Sequence, residues 1–243
     1  VSEPDRLSDV VAFDRERLGE IRGLRAVHLQ CHIGTDTLSL ARLGAKVSGL
    51  DFSPASLEQA RALAARTGTD IDYHEANLYD AVAVFGRDRF DLVYTGIGAL
   101  CWLPDVARWA QVVADLLLVG GRLFIREGHP MLLAIDENRT DTVSVELDYF
   151  EHPEPFAYED ASTYVDSDVK FDASLSHSWT HGLGQVVTGL LDAGLTLTML
   201  VEHESVPWNA LPGQMVGDEQ GEWRLREKPS RLAASYTLQA VKR

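Results

Sequence analysis

Between residues 26 and 127 the chain alternates short apolar runs with amphipathic stretches, joined by short links. Runs at 26–30, 46–51, 70–76, 90–95 and 122–127 predict strands. Stretches at 35–43, 53–67 and 104–118 predict the helices between them. Gly44 closes the first helix as a C′ residue. Ser53-Pro54 opens the second with an N-cap and a proline at N1, and Gly68 follows it. Leu57, Ala60, Leu63 and Ala64 form its buried stripe. Val106, Trp109, Val112, Val113 and Leu116 form that of the third, and Gly120-Gly121 ends it. Strand–helix alternation of this kind predicts a parallel sheet with helices on both faces, a three-layer α/β/α sandwich. Ligands of such sheets sit at the carboxyl ends of the strands, beside the first one.

Outside that stretch the rhythm changes. Residues 1–24 form an N-terminal helical segment, with Leu7, Val10, Val11, Leu18 and Ile21 spaced among charges. Residues 128–182 show no core-type helix. Alternation in 142–150 predicts an edge strand, and 162–179 is its expected partner. A long excursion inside a compact domain is usually functional. Its aromatics (Tyr149, Phe150, Phe156, Tyr158, Tyr164, Phe171 and Trp179) argue for order. We read 128–182 as a lid that binds an acceptor. A helix at 183–193 and strands at 195–204 and 235–241 complete a single domain over 1–243. The loop 207–229 between the last strands holds no strong helix, so those strands are expected to pair antiparallel.

Charge excludes some partners. The net charge is −15, and nucleic acid or an anionic membrane requires a basic patch. From Asp136 to Asp172 there are twelve Asp/Glu against two Lys/Arg, which fits a solvated lid or one that attracts a cation. No apolar run reaches the ~20 residues of a membrane span, and no signal peptide is visible. Two cysteines, Cys31 and Cys101, are too few for a disulfide framework. A cytoplasmic setting is expected.

Five stretches carry a resemblance: "VHLQCHIGTDTLSLARLGAKVSGLDFS", "DYHEANLYD", "FDLVYTGIGALCWLPD", "VGGRLFIREGHP" and the closing "LVEHES…YTLQAVKR". In this order they resemble the class I S-adenosylmethionine-dependent methyltransferases, small-molecule branch. The resemblance implies a Rossmann-like, seven-stranded sheet whose antiparallel seventh strand lies between the fifth and sixth. It implies S-adenosyl-L-methionine as cofactor. Gly34, Thr35 and Thr37 then lie at the helix start that receives the methionine part, and free N–H groups there suit a carboxylate. Asp51 is implied as the ribose ligand, with Phe52 against the adenine. Asn77 and Leu78 are implied beside the adenine edge. Thr95 and Gly96 border the cofactor amine and sulfonium, with Trp102 beyond.

The same resemblance exposes departures. His28 stands where the family has an acid, and Gln30 and His32 stand where it has glycines. Gln30 can accept from the cofactor ammonium, and His28 reads as a core histidine. Methyl transfer needs an aligned nucleophile, and a base only when the acceptor carries a proton. Glu127 and His129, ending the fifth strand, are the candidates for proton handling. A helix-cap glutamate and a histidine structuring the turn before Pro130 are their plain readings. Trp102, Tyr149 and His181 are the acceptor-binding candidates, with Trp179 and Trp208 as further cage walls. His177 and His181 lie four apart without a third adjacent ligand, so no metal site is expected. The acceptor is expected to be a small molecule methylated on N or O, and the acidic 136–172 stretch leans toward an amine. Two other functions compete. An NAD-dependent oxidoreductase would use Asp51 equally well but lacks the GxGxxG turn. A non-catalytic cofactor-binding or regulatory protein would keep the fold without the glycines.

Overall fold

The computed structural model describes residues 5–159 and 175–243. Tyr164, Phe171 and the middle of the expected 128–182 insertion lie outside the described residues. Two short helices, α1 (Asp9–Phe13) and α2 (Arg15–Leu18), precede the first strand. Then come β1 (Arg25–Leu29), α3 (Thr35–Arg42), β2 (Lys46–Asp51), α4 (Pro54–Thr67), β3 (Asp72–Glu75), α5 (Ala81–Phe85), β4 (Phe90–Thr95), α6 (Val106–Leu116) and β5 (Leu117–Gly128). The rest comprises α7 (Pro130–Leu133), β6 (Phe156–Glu159), β7 (Leu175–Ser178), α8 (Leu183–Asp192), β8 (Leu195–His203), β9 (Ser205–Val206), β10 (Met215–Gly217), β11 (Trp223–Leu225) and β12 (Ser235–Lys242).

The main sheet has seven strands in the order β3-β2-β1-β4-β5-β12-β8. β12 runs antiparallel to both its neighbours, so the last strand is inserted between the fifth and sixth as the resemblance implies. The expected helix stripes are buried: Leu57, Ala60, Leu63 and Ala64 on α4, and Val106, Trp109, Val113 and Leu116 on α6. Each large apolar side chain so covered contributes roughly 1.5–3 kcal/mol. One sheet face packs Val27, Val93, Ile125 and Leu238 under α6 and α8. The other packs Ala26, Leu92, Tyr94 and Phe124 under α1, α2 and α3.

Three expectations are corrected. Gly120-Gly121 does not end a helix; α6 stops at Leu116 and both glycines lie in β5. Residues 142–150 form no strand, only an isolated bridge between Ile135 and Val145. The partner of β7 is β6, which lay unread before it. The loop before the last strand carries a small antiparallel sheet, β10-β11-β9. It closes over a separate apolar cluster that includes Leu132, Val206, Leu211 and Met215.

Candidate cofactor and acceptor site

The turn after β1 solves the absence of glycine by backbone conformation. Gln30 and His32 both adopt positive φ, 55° and 49°, where L-residues normally pay about 1–2 kcal/mol. The chain therefore keeps a glycine-type backbone with side chains on it. Gly34 completes the turn with φ 78° as N-cap of α3. A Cβ there would lie 2.5 Å from Tyr73 Oη and 2.9 Å from Ala60 Cβ. Glycine is required at that position by space as well as by φ.

Asp51 fastens this turn to the end of β2. Its Oδ2 accepts from His32 N at 2.9 Å and its Oδ1 from Ser53 N at 2.9 Å. Each oxygen keeps a further lone pair, so the carboxylate is oriented and still able to accept. Phe52 beside it is 69% exposed, an unusual state for an aromatic ring. The neighbouring Asn77 caps a 3-10 turn (Leu78–Asp80) by accepting from Tyr79 N with its Oδ1, and the Leu78 side chain is buried in the core. Asn77 is thus first a turn residue, with one lone pair of its carbonyl left.

The turn is also tied to the loop after β4. Gln30 Nε2 donates to Ala99 O at 3.0 Å, and its Oε1 is buried without a partner. Thr95 Oγ1 is buried without a partner as well. Thr35 stands exposed at the start of α3. Thr37 corrects one expectation: it is fully buried, with Oγ1 2.9 Å from His28 Nδ1, and does not open toward a ligand. Burial pushes the His28 imidazole down to about 3, so the ring is neutral. It packs edge-on to Tyr94 at 5.0 Å, in the layer expected of a core histidine, but its Nε2 has no partner. Asp36, in the first turn of α3, is the residue that sequence reading passed over. Its Oδ2 lies 3.1 Å from where a Cβ of Gly96 would sit. No local pattern marks it, because the contact joins α3 to the loop after β4.

Glu127 is the second correction. Its Oε1 accepts from Gly98 N at 2.6 Å and Gly128 N at 2.7 Å, and its Oε2 from Ala99 N at 2.9 Å and Leu100 N at 2.8 Å. Burial raises its pKa, and these four bonds oppose the shift only in part. A carboxylate so engaged holds the 98–100 loop in place. His129 is the third. Its Nδ1 accepts from Met131 N at 3.0 Å, capping α7, and its Nε2 therefore donates to Glu202 Oε1 at 3.0 Å. Burial lowers its pKa, with Glu202 opposing. Both nitrogens are committed, which is the plain reading of a histidine structuring the turn before Pro130.

His181 is placed differently. Its Nε2 lies 2.7 Å from Leu103 O. A carbonyl only accepts, so Nε2 carries the proton, and in the neutral ring Nδ1 is bare. Nδ1 is buried without a hydrogen-bond partner, with Glu151 Oε1 at 3.7 Å. A cavity of ≈ 20 Å³ lies between Glu127, Trp179, His181 and Tyr236. Tyr149 packs close to Gly182 and edge-on to Phe150, while Trp102 stands 44% exposed on a 3-10 turn. Trp208 joins the cluster under β9 and β10. Among the described residues no ring of these four stacks on another of the four. Among the described residues no group of three His, Cys, Asp or Glu is arranged to hold a metal, and His177 is exposed on β7. No helix among them is long and apolar enough to cross a membrane. Burial pushes the Cys31 thiol up to about 12 and that of Cys101 higher still, so neither is a thiolate.

Comparison with known proteins agrees with this geometry. Residues 26–121 match a family described as a methyltransferase domain. A ubiquinone biosynthesis O-methyltransferase from Methylobacterium sp. (strain 4-46) is 33% identical over 112 residues, covering 45% of this chain and 44% of that protein. One from Xanthomonas euvesicatoria is 33% identical over 106 residues, 44% of each chain. The chain thus aligns with less than half the length of these curated relatives. Among solved structures, an S-adenosylmethionine-dependent methyltransferase from Mesorhizobium loti superposes with a TM-score of 0.67 at 23% identity, covering 97% of this chain and 98% of that one. The magnesium protoporphyrin IX methyltransferase of Synechocystis PCC 6803, with S-adenosylhomocysteine bound, gives 0.57 at 16% identity, covering 97% and 80%. Residues 26–121 are thus similar to a methyltransferase domain, and the chain shares the fold of the S-adenosylmethionine-dependent methyltransferases.

Proposed function

We propose that the chain transfers a methyl group from S-adenosylmethionine to a hydroxyl oxygen of a small molecule. The observation that carries the cofactor reading is the first turn. Two non-glycine residues hold glycine conformations there, and the turn is tied both to Asp51 and to the loop after β4. The residues present fit the group. Asp51 would accept from the ribose hydroxyls and Phe52 would cover the adenine. Gln30 Oε1 and Thr95 Oγ1, buried and unpartnered, would meet its polar atoms. When bound, the cofactor supplies a methyl group activated on a sulfonium.

The chain's own work is to position and to take a proton. A hydroxyl acceptor must lose its proton, and His181 Nδ1 is the bare buried nitrogen beside the Trp179–Tyr236 cavity. The similarity to O-methyltransferases points the same way. The acidic stretch, part of which lies outside the described residues, and Glu151 at 3.7 Å from His181 favour a second reading, an amine acceptor. We further propose that 128–182 serves as the acceptor-binding insertion.

Calorimetric titration tests the cofactor reading. S-adenosylhomocysteine is expected to bind and NAD not to bind. Asp51→Ala, with folding checked by thermal unfolding, is expected to weaken S-adenosylhomocysteine binding by about 1.5–3 kcal/mol, the range for hydrogen bonds to charged groups. Unchanged affinity would remove Asp51 from the site, and NAD binding would favour the oxidoreductase.

A further inference from the structure

The family's acidic position at the end of β1 is His28 here, which leaves the cofactor's ammonium without a carboxylate. The structure supplies one from elsewhere. Asp36 Oδ2 and His28 Nε2 lie 3.1 and 3.5 Å from the point where a Cβ of Gly96 would stand. That point belongs to neither β1 nor α3 but to the loop after β4, so three elements converge on one small space. Gly96 keeps it open, since a side chain there would press on both groups. His28 is 3% exposed, and its Nε2 is unpartnered and faces the same space.

We infer that Asp36 and His28 together bind the ammonium of the cofactor's methionine part, the acid having moved from β1 to the first turn of α3. This rests on the reading that the chain binds S-adenosylmethionine. An ammonium offers three N–H donors and no acceptor. The three groups it would meet are all able to accept: the Asp36 carboxylate, a neutral His28 and Gln30 Oε1 from the same turn. A protonated His28 would repel it, and burial keeps that ring neutral. Among the described residues Asp36 forms no ion pair within 4 Å. The guanidinium that acts on it, Arg126, is already held by Glu222 through two bonds of 2.9 and 2.8 Å. Burial raises the Asp36 pKa, with Ser8, His32 and Arg126 opposing. A bound cation would relieve the same penalty.

Two ligands separate this subsite from the rest of the cleft. S-adenosylhomocysteine carries the amino-acid part, and 5′-methylthioadenosine lacks it. Calorimetry on the full chain is expected to show Asp36→Asn weakening S-adenosylhomocysteine about ten-fold or more, with 5′-methylthioadenosine within about two-fold of wild type. Gly96→Ala is expected to give the same selective loss by filling the space. Equal weakening of both ligands by Asp36→Asn would assign it a structural role in α3 and overturn the inference. So would no weakening of either. Failure of wild type to bind S-adenosylhomocysteine at all would instead overturn the proposed function.

Discussion

At the scale of single residues, the first turn shows how a backbone geometry outlives the residue type that usually supplies it. Positive φ at Gln30 and His32 costs strain, and the return is a side-chain amide that spans to Ala99. Gly34 has no such latitude. Gly34→Ala forces a Cβ to within 2.5 Å of Tyr73 Oη at φ 78°. The left-handed conformation costs about 1–2 kcal/mol and overpacking about 1–3 kcal/mol. Urea unfolding is expected to show a loss of about 2–5 kcal/mol. Tyr73 Oη has no hydrogen-bond partner, so Tyr73→Phe alone is expected to be close to neutral and to recover part of the loss in the double variant. Full additivity of the two changes would show that the clash is not with that hydroxyl. Part of this geometry was legible in the sequence: Gly34 precedes α3 and Asp51 ends β2, as the strand–helix alternation predicts. Asp36 was not, because a contact between α3 and the loop after β4 leaves no local pattern.

At the scale of elements, the loop after β4 is held by hydrogen bonds as well as by the burial of Leu100 and Leu103. Glu127 holds its Gly98, Ala99 and Leu100 N–H groups, Gln30 holds Ala99 O, and His181 holds Leu103 O. The sequence showed Glu127 at a strand end, a position equally suited to catalysis and to anchoring. Only the register of the loop decides between them. Glu127→Gln keeps the shape but turns an amide N–H₂ toward backbone donors. Leaving buried donors unsatisfied costs about 1–3 kcal/mol each, so denaturant unfolding is expected to show a loss of about 2–4 kcal/mol. Weaker S-adenosylhomocysteine binding is expected with it, because Gln30 loses its anchor. A variant with wild-type stability and affinity would return Glu127 to the acceptor side. Strand reading failed for a similar reason. Residues 142–150 alternate correctly, yet a strand exists only where a partner offers its edge, and Val145 finds a single bridge. β9, β10 and β11 are two or three residues long, too short for periodicity to register.

At the scale of the whole molecule, the N-terminal helices are locked to the far side of the sheet by a buried polar layer. Thr237 Oγ1 donates to Asp14 (2.9 Å) and so must accept from His203 Nε2 at 2.8 Å. The Phe13 ring meets the His203 ring edge-on at 5.0 Å and receives the Arg126 guanidinium at 3.6 Å. This layer joins residues more than two hundred positions apart, and the amphipathic spacing of 1–24 announced a helix without saying where it docks. It also makes stability depend on pH. Burial, then Arg17 and Arg126, push His203 down to about 4, while an unfolded histidine titrates near 6.5. Because the folded pKa is depressed, the contribution is complete above about 6.5 and is lost as pH falls toward 4. The loss is about 1.4 kcal/mol per unit at most, and His28 adds a loss of the same sign. Asp14, raised by burial, works in the opposite direction, so the wild-type curve alone is a mixture. His203→Gln isolates one component: it removes a titrating group but leaves a donor for Thr237. Thermal unfolding between about pH 4.5 and 7.5 is expected to show the wild type losing stability faster than the variant on acidification, by about 2 kcal/mol across the range. Parallel curves would mean that His203 titrates in the folded protein as it does in the unfolded chain. The polar layer under α1 and α2 would then be open to water.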